Sequence, residues 1–339
     1  MTRTRARPPR PLEVLLLCHE TLVPPQGVRA YPLRAPPEWR TEFDVKQALR
    51  AHGHRVTTLG AAHELAPVLE ACARRPDVVF NLLVEFHGRA RYDQHVASLL
   101  ELLELPYTGC GPRGLTLARD KALAHELLAA RGVDVPRFQL CERGVRVRRR
   151  LPFPLLVKTR DEEASLGLAQ ASLVRDERAL ARRVAFVHEH LETDALVEEY
   201  VPGRELYSAL LGGTRPRVFP TWELVFTRLP RSHAPIATRA VKFSLATQRR
   251  LGIKSRAARL APALERRVAK LACTGWEALG LEGYARIDLR LTPEGRLTML
   301  EANPNPELAR GEDFAQAAAR AGLAYPDLID ELLALALRR

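Results

Sequence analysis

Residues 286–306 read RIDLRLTPEGRLTMLEANPNP. Apolar and polar side chains alternate on both sides of a Pro-Glu-Gly turn at 293–295, the pattern of two strands, 283–291 and 296–302, folded back on each other. Side chains two apart on a strand point to one face. Arg286 and Asp288 therefore share a face of the first strand, and Glu301 and Asn303 share a face of the second. Two carboxylates and an amide are hard oxygen donors, suited to Mg²⁺ that also meets phosphate oxygens. An arginine beside them can grip phosphate or a developing negative charge. A solvated hairpin with incidental acids is a poorer account of four polar residues converging between apolar neighbours.

Outward from this hairpin, the lysines carry the next signal. Of 52 basic residues only six are lysine (46, 121, 158, 242, 254 and 270), so 46 are arginine. In a chain that defaults to arginine, a retained lysine is informative. Lys121 opens a helix, 119–131, in ARDKALAHELLAARGVDVP, and Lys158 ends the strand 154–159 ahead of TRDEEASLG. A lysine at a strand end before a Ser- and Gly-containing turn is placed to meet phosphate as a point charge, with turn N–H groups beside it. In ALVEEYVPGRE, 195–205, an apolar strand 195–201 carries Glu198 and ends at Val201, with Glu205 past a Pro-Gly turn. Backbone groups at such an edge can read a base, and the carboxylate beyond can accept from ribose hydroxyls. Alone, that segment reads better as an ordinary strand and turn.

The chain of 339 residues divides by pattern. A basic tail, 1–10, is expected to be disordered. Strands 12–18, 54–59 and 76–83 alternate with helices 41–52, 62–74 and 93–104 over residues 11–112, which reads as a parallel α/β domain. Residues 113–200 and 201–339 read as two α+β domains, with a strand at 167–173, helices 176–191 and 261–279, a loop around Pro230–Pro235, and closing helices 312–321 and 326–338.

Composition narrows the class. Hydrophobic residues are 46% and charged residues 27%, the balance of a globular protein, and no apolar run is long enough to span a membrane. Five scattered cysteines without CxxC spacing indicate neither a zinc site nor a disulfide framework and suit a reducing cytoplasm. The net charge of +12 invites a nucleic-acid role. The Arg-rich tail and RVRRR at 146–150 lack interleaved aromatics for base stacking, so solvated basic surface is the better reading.

The ordered set Lys121, Lys158, Ser165, Gly167, Glu198, Glu205, Lys242, Arg286, Asp288, Glu301 and Asn303 resembles the ATP-grasp superfamily, and within it the D-alanine–D-alanine ligase family, over roughly residues 76–335. The resemblance implies an N-terminal parallel α/β (pre-ATP-grasp) domain followed by two α+β domains that sandwich ATP. It implies that Lys121 and Lys158 hold ATP phosphates under a loop at Glu163–Gly167. Glu198 and the Val201 backbone would then meet adenine, and Glu205 the ribose. Lys242 would reach the terminal phosphate and Arg286 would steady the transferring group. Asp288, Glu301 and Asn303 would hold two Mg²⁺, with Mn²⁺ as a substitute. The implied reaction is ADP-forming ligation of a small-molecule carboxylate and an amine through an acyl phosphate. Neither a nucleic-acid nor a membrane partner is implied, and a homodimer is an assembly open to the protein.

Both substrate half-sites depart from that family. LLLCHETLVPP replaces its Gly-Gly start, HGRARYDQ keeps His87, Gly88 and Asp93 but has Tyr92 for an acid, Ala164 replaces a serine, and NPNPELARGEDF follows the metal strand. The expectation is a ligase with at least one substrate larger than alanine, such as a bulkier amino acid, peptide or amine-bearing metabolite. Its added acids Glu163, Glu312 and Asp313 are candidates to pair an amine. A D-alanine–D-alanine ligase proper and a non-catalytic ATP-binding protein are the alternatives.

Overall fold

The structure, a computed structural model, describes residues 10–161 and 167–339. The expected tail 1–10, apart from Arg10, and Glu163, Ala164 and Ser165 lie outside the described residues. Two compact units emerge: the described residues up to Pro112 together with Asn305–Arg339, and Arg113–Pro304.

In the first unit, β1 (Glu13–His19) is the middle of a parallel three-stranded sheet, between β2 (Arg55–Ala61) and β3 (Val78–Asn81). The run Val14–Cys18 is buried almost completely, as a central parallel strand covered on both faces requires. Helices α1 (Arg40–Ala51), α2 (Ala66–Ala73) and α3 (Asp93–Leu102) fall where the periodicity puts them, one to four residues shorter or shifted.

The second unit opens with two helices, α4 (Pro112–Arg119) and α5 (Lys121–Ala130), instead of one at 119–131. Asp120 breaks the pair: its backbone is extended and its side chain accepts from the Leu123 N–H, capping α5. An antiparallel sheet follows in the order β4-β7-β5-β6, from β4 (Phe138–Cys141), β5 (Leu155–Thr159), β6 (Leu173–Val174) and β7 (Ala195–Glu199). Helix α6 (Glu177–His190) seals it through Leu180, Val184 and Val187 against Leu155, Val157 and Val197. The strand expected at 167–173 is corrected to β6 alone, because Gln170–Ser172 forms a 3₁₀ turn. There the Ala169 N–H donates to Ser172 Oγ and the Gln170 amide bonds Ala234, so side chains take the backbone's place.

A second sheet runs β11-β10-β8-β12-β13, with β9 (Arg217–Val218) beside β8. Its strands are β8 (Arg204–Gly212), β10 (Trp222–Phe226), β11 (Ile253–Ala257), β12 (Gly283–Leu291) and β13 (Leu297–Pro304). Helices α7 (Arg239–Phe243) and α8 (Leu245–Leu251) precede β11, and α9 (Pro262–Ala278) packs on β8 and β13. Gly203, in the turn from β7 to β8, has φ +126° and the Leu291 carbonyl so close that any Cβ would collide with it. Arg296 ties the two sheets by donating to Asp134 and Glu199. After β13 the chain returns to the first unit as α10 (Asp313–Arg320) and α11 (Tyr325–Ala336). Residues 305–339 therefore cluster with the α/β unit and not with 201–304.

Among the described residues no helix is long and apolar enough to cross a membrane. All five cysteines are free thiols.

Candidate functional site: a lysine-lined cavity over a pair of opposed carboxylates

The hairpin forms as its alternation requires. In the register of β12 with β13, Asp288 lies opposite Glu301 and Arg286 opposite Asn303. A bulge after Asp288 gives the second strand one extra residue, Leu300. The Arg286 guanidinium clasps Asp288 through one edge, donating from Nε to Oδ1 at 2.6 Å and from Nη2 to Oδ2 at 3.0 Å, and stacks over the Tyr207 ring.

A cavity within the second unit is lined by Lys121, Lys158, Glu198, Val201, Glu205, Lys242, Asp288, Glu301 and Asn303, nine residues that the sequence singles out. They come from α5, β5, β7, β8, α7, β12 and β13, with Val201 in the connection between β7 and β8. Gly167 and Arg286 do not line the cavity. Gly167 has φ +70°, and its carbonyl accepts from the Arg183 guanidinium. Ser165 lies outside the described residues.

The electrostatics separate the two carboxylates. Burial pushes the Asp288 carboxyl up to about 6, with Glu301 adding to the rise and Arg286 opposing it. Burial also acts against the Glu301 carboxylate, but Lys242, Lys121, Lys158 and Arg286 outweigh it and hold Glu301 down at about 2. The two phosphate-ligand candidates split as well. Burial lowers the Lys121 ammonium, whereas Lys158, equally desolvated, ends up raised because Glu198 and Glu301 favour its charge. Its Nζ sits 2.7 Å from Glu198 Oε2.

Glu205 is deeply held. It accepts from Arg290 Nη2 at 2.7 Å and from the Tyr207 hydroxyl at 2.9 Å, and Arg290 also donates to the Gly203 and Pro235 carbonyls. Sequence reasoning passed over Arg290, although it continues the Arg286–Asp288 alternation by one more step. It also passed over Arg119, which lines the cavity, and over His125, one helical turn after Lys121.

The donor set suits a hard divalent cation and a polyphosphate. Glu301 is ionised at neutral pH, which suits the cation, and the buried Nδ2 of Asn303, an N–H donor without a hydrogen-bond partner among the described residues, suits an acceptor such as a phosphate oxygen. Asp288 supplies a second carboxylate that any cation would share with Arg286. Lys121, Lys158 and Lys242 line the cavity as ammonium groups available to a phosphate chain, among carboxylates of equal number to the cations.

Comparison with known proteins gives the family and the fold. The family model described as D-ala D-ala ligase C-terminus matches residues 137–334. A protein of Sinorhizobium fredii, described as uncharacterized protein y4sG, is 34% identical over 309 residues, 89% of each chain. A D-alanine–D-alanine ligase of Desulforudis audaxviator is 30% identical, covering 86% of this chain and 91% of that one. Among solved structures, D-alanine–D-alanine ligase from Bacillus anthracis complexed with ATP superposes with TM-score 0.73 at 20% identity, covering 96% of this chain and 98% of that one. VanG D-Ala:D-Ser ligase from Enterococcus faecalis gives 0.72 at 19%, covering 96% and 100%. The chain thus belongs to the D-alanine–D-alanine ligase family, and its architecture is the ATP-grasp fold.

Proposed function

We propose that the protein is an ATP-dependent, ADP-forming ligase that joins a small-molecule carboxylate to an amine. The observation that carries this reading is Glu301, held ionised by Lys121, Lys158, Lys242 and Arg286 and set opposite Asp288 on the neighbouring strand. Family membership supports it. A carboxylate is a poor acyl donor, because its leaving group would be oxide. Transfer of the terminal phosphoryl group of ATP to it gives an acyl phosphate, and the amine then displaces phosphate. In this reading Lys121, Lys158 and Lys242 bind and orient the phosphates, Arg286 meets the charge on the transferring group, and Glu198, Val201 and Glu205 seat the nucleoside. Glu301, Asn303 and Asp288 would hold Mg²⁺, which when bound screens phosphate charge. No covalent enzyme nucleophile is needed, and positioning with fixed charge supplies the rate.

The substrate pair is proposed to include one partner larger than alanine, on the strength of Tyr92 and the segment 309–314, ARGEDF. Joining D-alanine to D-alanine is the second reading, favoured by the name of the Desulforudis relative. A screen of carboxylates against amines, reading ADP release with mass detection of the condensed product, tests both. D-Alanine alone, turned over efficiently to the dipeptide, would select the second. No nucleotide-dependent condensation with any pair would overturn the ligase reading.

A further inference from the structure

His125 is buried on α5 and takes no part in the ligase reading above. Its ring is fixed on two sides. Nε2 lies 3.1 Å from the Leu300 carbonyl oxygen, and the ring packs edge-on against Phe138 of β4, with centroids 5.2 Å apart. A carbonyl only accepts, so Nε2 carries the hydrogen and the neutral ring presents a bare lone pair at Nδ1. That lone pair faces Glu198 Oε1 on β7 at 3.8 Å. Both atoms are buried, and neither has a hydrogen-bond partner among the described residues. The other Glu198 oxygen, Oε2, is taken by Lys158 of β5.

Two acceptors facing each other in a dry interior are costly, and they are too close together for a water to sit between them with good geometry. A single proton on Nδ1 resolves the conflict, turning the pair into a charge-assisted hydrogen bond. The charged groups that act most on the ring are Glu198, Lys158 of β5 and Glu301 of β13, with Lys121 one turn earlier on α5. Burial lowers the imidazole, and Lys158 lowers it further while Glu198 and Glu301 raise it. While Lys158 neutralises Glu198, the ring stays neutral.

We infer that His125 is a positioning residue that takes up a proton from solution when nucleotide binds, holding Glu198 in place as Lys158 turns its charge to phosphate. The inference rests on the nucleotide-binding reading of the cavity. Lys158 cannot serve both anions fully, and the carboxylate it leaves is buried. The proton comes from solvent onto Nδ1, the Nε2–H bond to Leu300 is kept, and the protein gains one unit of charge while Lys158 keeps its own.

The test is titration calorimetry of the full chain with ATP and Mg²⁺ at pH 8, where the free nucleotide's phosphates are ionised, repeated in buffers of differing ionisation enthalpy. Wild type should take up close to one proton, and its affinity should fall by up to about tenfold per pH unit above neutrality. His125→Gln, which cannot take up a proton, should bind with uptake near zero and an affinity flat in pH. A merely structural histidine would change affinity in the variant without changing the proton count. Binding by wild type with no proton uptake, or equal uptake in His125→Gln, would overturn the inference and leave the nucleotide reading intact. Absence of any nucleotide binding by wild type would overturn both. His125→Asn, a smaller neutral amide, provides the same measurement should His125→Gln fold poorly, with folding checked by thermal melting.

Discussion

Asp288 and Glu301 face each other across adjacent antiparallel strands, yet their carboxyl groups are driven in opposite directions, Asp288 up and Glu301 down. The cause is the distribution of cations. Asp288 has the clasp of Arg286, which burial outweighs, while Glu301 is served by three lysines and the same arginine. Glu301 is therefore the ionised member of the pair, the one on which the proposed metal and phosphate site is centred.

Glu301→Gln should abolish ligation while leaving the fold intact. Loss of one charge at that centre should cost several kcal/mol of transition-state stabilisation, roughly a thousandfold or more in rate. ADP release and a melting curve on the same preparation check it. Turnover like wild type from a folded variant would refute the metal assignment.

Lys158→Ala should impair nucleotide binding and stability far more than Lys254→Ala or Lys270→Ala. Lys158, its side chain 12% exposed, pairs with the buried Glu198, whereas Lys254 and Lys270 are exposed. Removing one member of a buried pair leaves the other uncompensated, at a cost of about 3–5 kcal/mol, while the exposed changes should stay within about 0.5 kcal/mol. Chemical denaturation of the three variants side by side makes the comparison.

Arg290→Lys should also destabilise, although it keeps the charge. Arg290 reaches Glu205, the Gly203 carbonyl and the Pro235 carbonyl at once through its fork, which an ammonium on a flexible stem cannot reproduce. A lowered denaturation midpoint and weakened nucleotide binding are expected together, since Glu205 lines the cavity. Unchanged values for both would show that the fork is dispensable.

In the α/β unit, Glu42 should make stability depend on pH. Burial, reinforced by Glu307, pushes its carboxyl up to about 7 from 4.5. The folded state therefore holds a proton that the unfolded chain releases. Its contribution is fully present below about pH 4.5 and is lost as pH rises through about 7. At 1.36 kcal/mol per unit the loss approaches ~3 kcal/mol by pH 8. Glu42→Gln should remove that slope and be the more stable protein at pH 8. Denaturation midpoints across pH 5–8 measure it, and parallel profiles for the two proteins would rule the effect out.

How much of this was legible in the chain depends on how local each feature is. The hairpin 283–304 could be read because its period-two alternation, its turn and its polar face all lie within about twenty residues, and β1 and β3 because a buried parallel strand writes itself as a continuous apolar run. The strand misread at 167–173 failed because side-chain hydrogen bonds to the backbone, which alternation does not encode, closed a 3₁₀ turn there. The sheet partners β8, β10 and β11 went unread, since charged residues at Arg204, Glu205, Glu223, Lys254 and Arg256 blur their apolar pattern.

By itself the sequence determined which polar side chains share a face of each element, because that follows from chirality and from the periods of strand and helix. Only the tertiary structure decided who meets whom. Lys158, Glu198 and His125 come from three elements 33 to 73 residues apart, and the clasp of Arg290 on Glu205 spans 85. A burial pattern says that such a residue turns inward. Which opposite charge waits there depends on sheet order and register, and these follow from the packing of the whole unit.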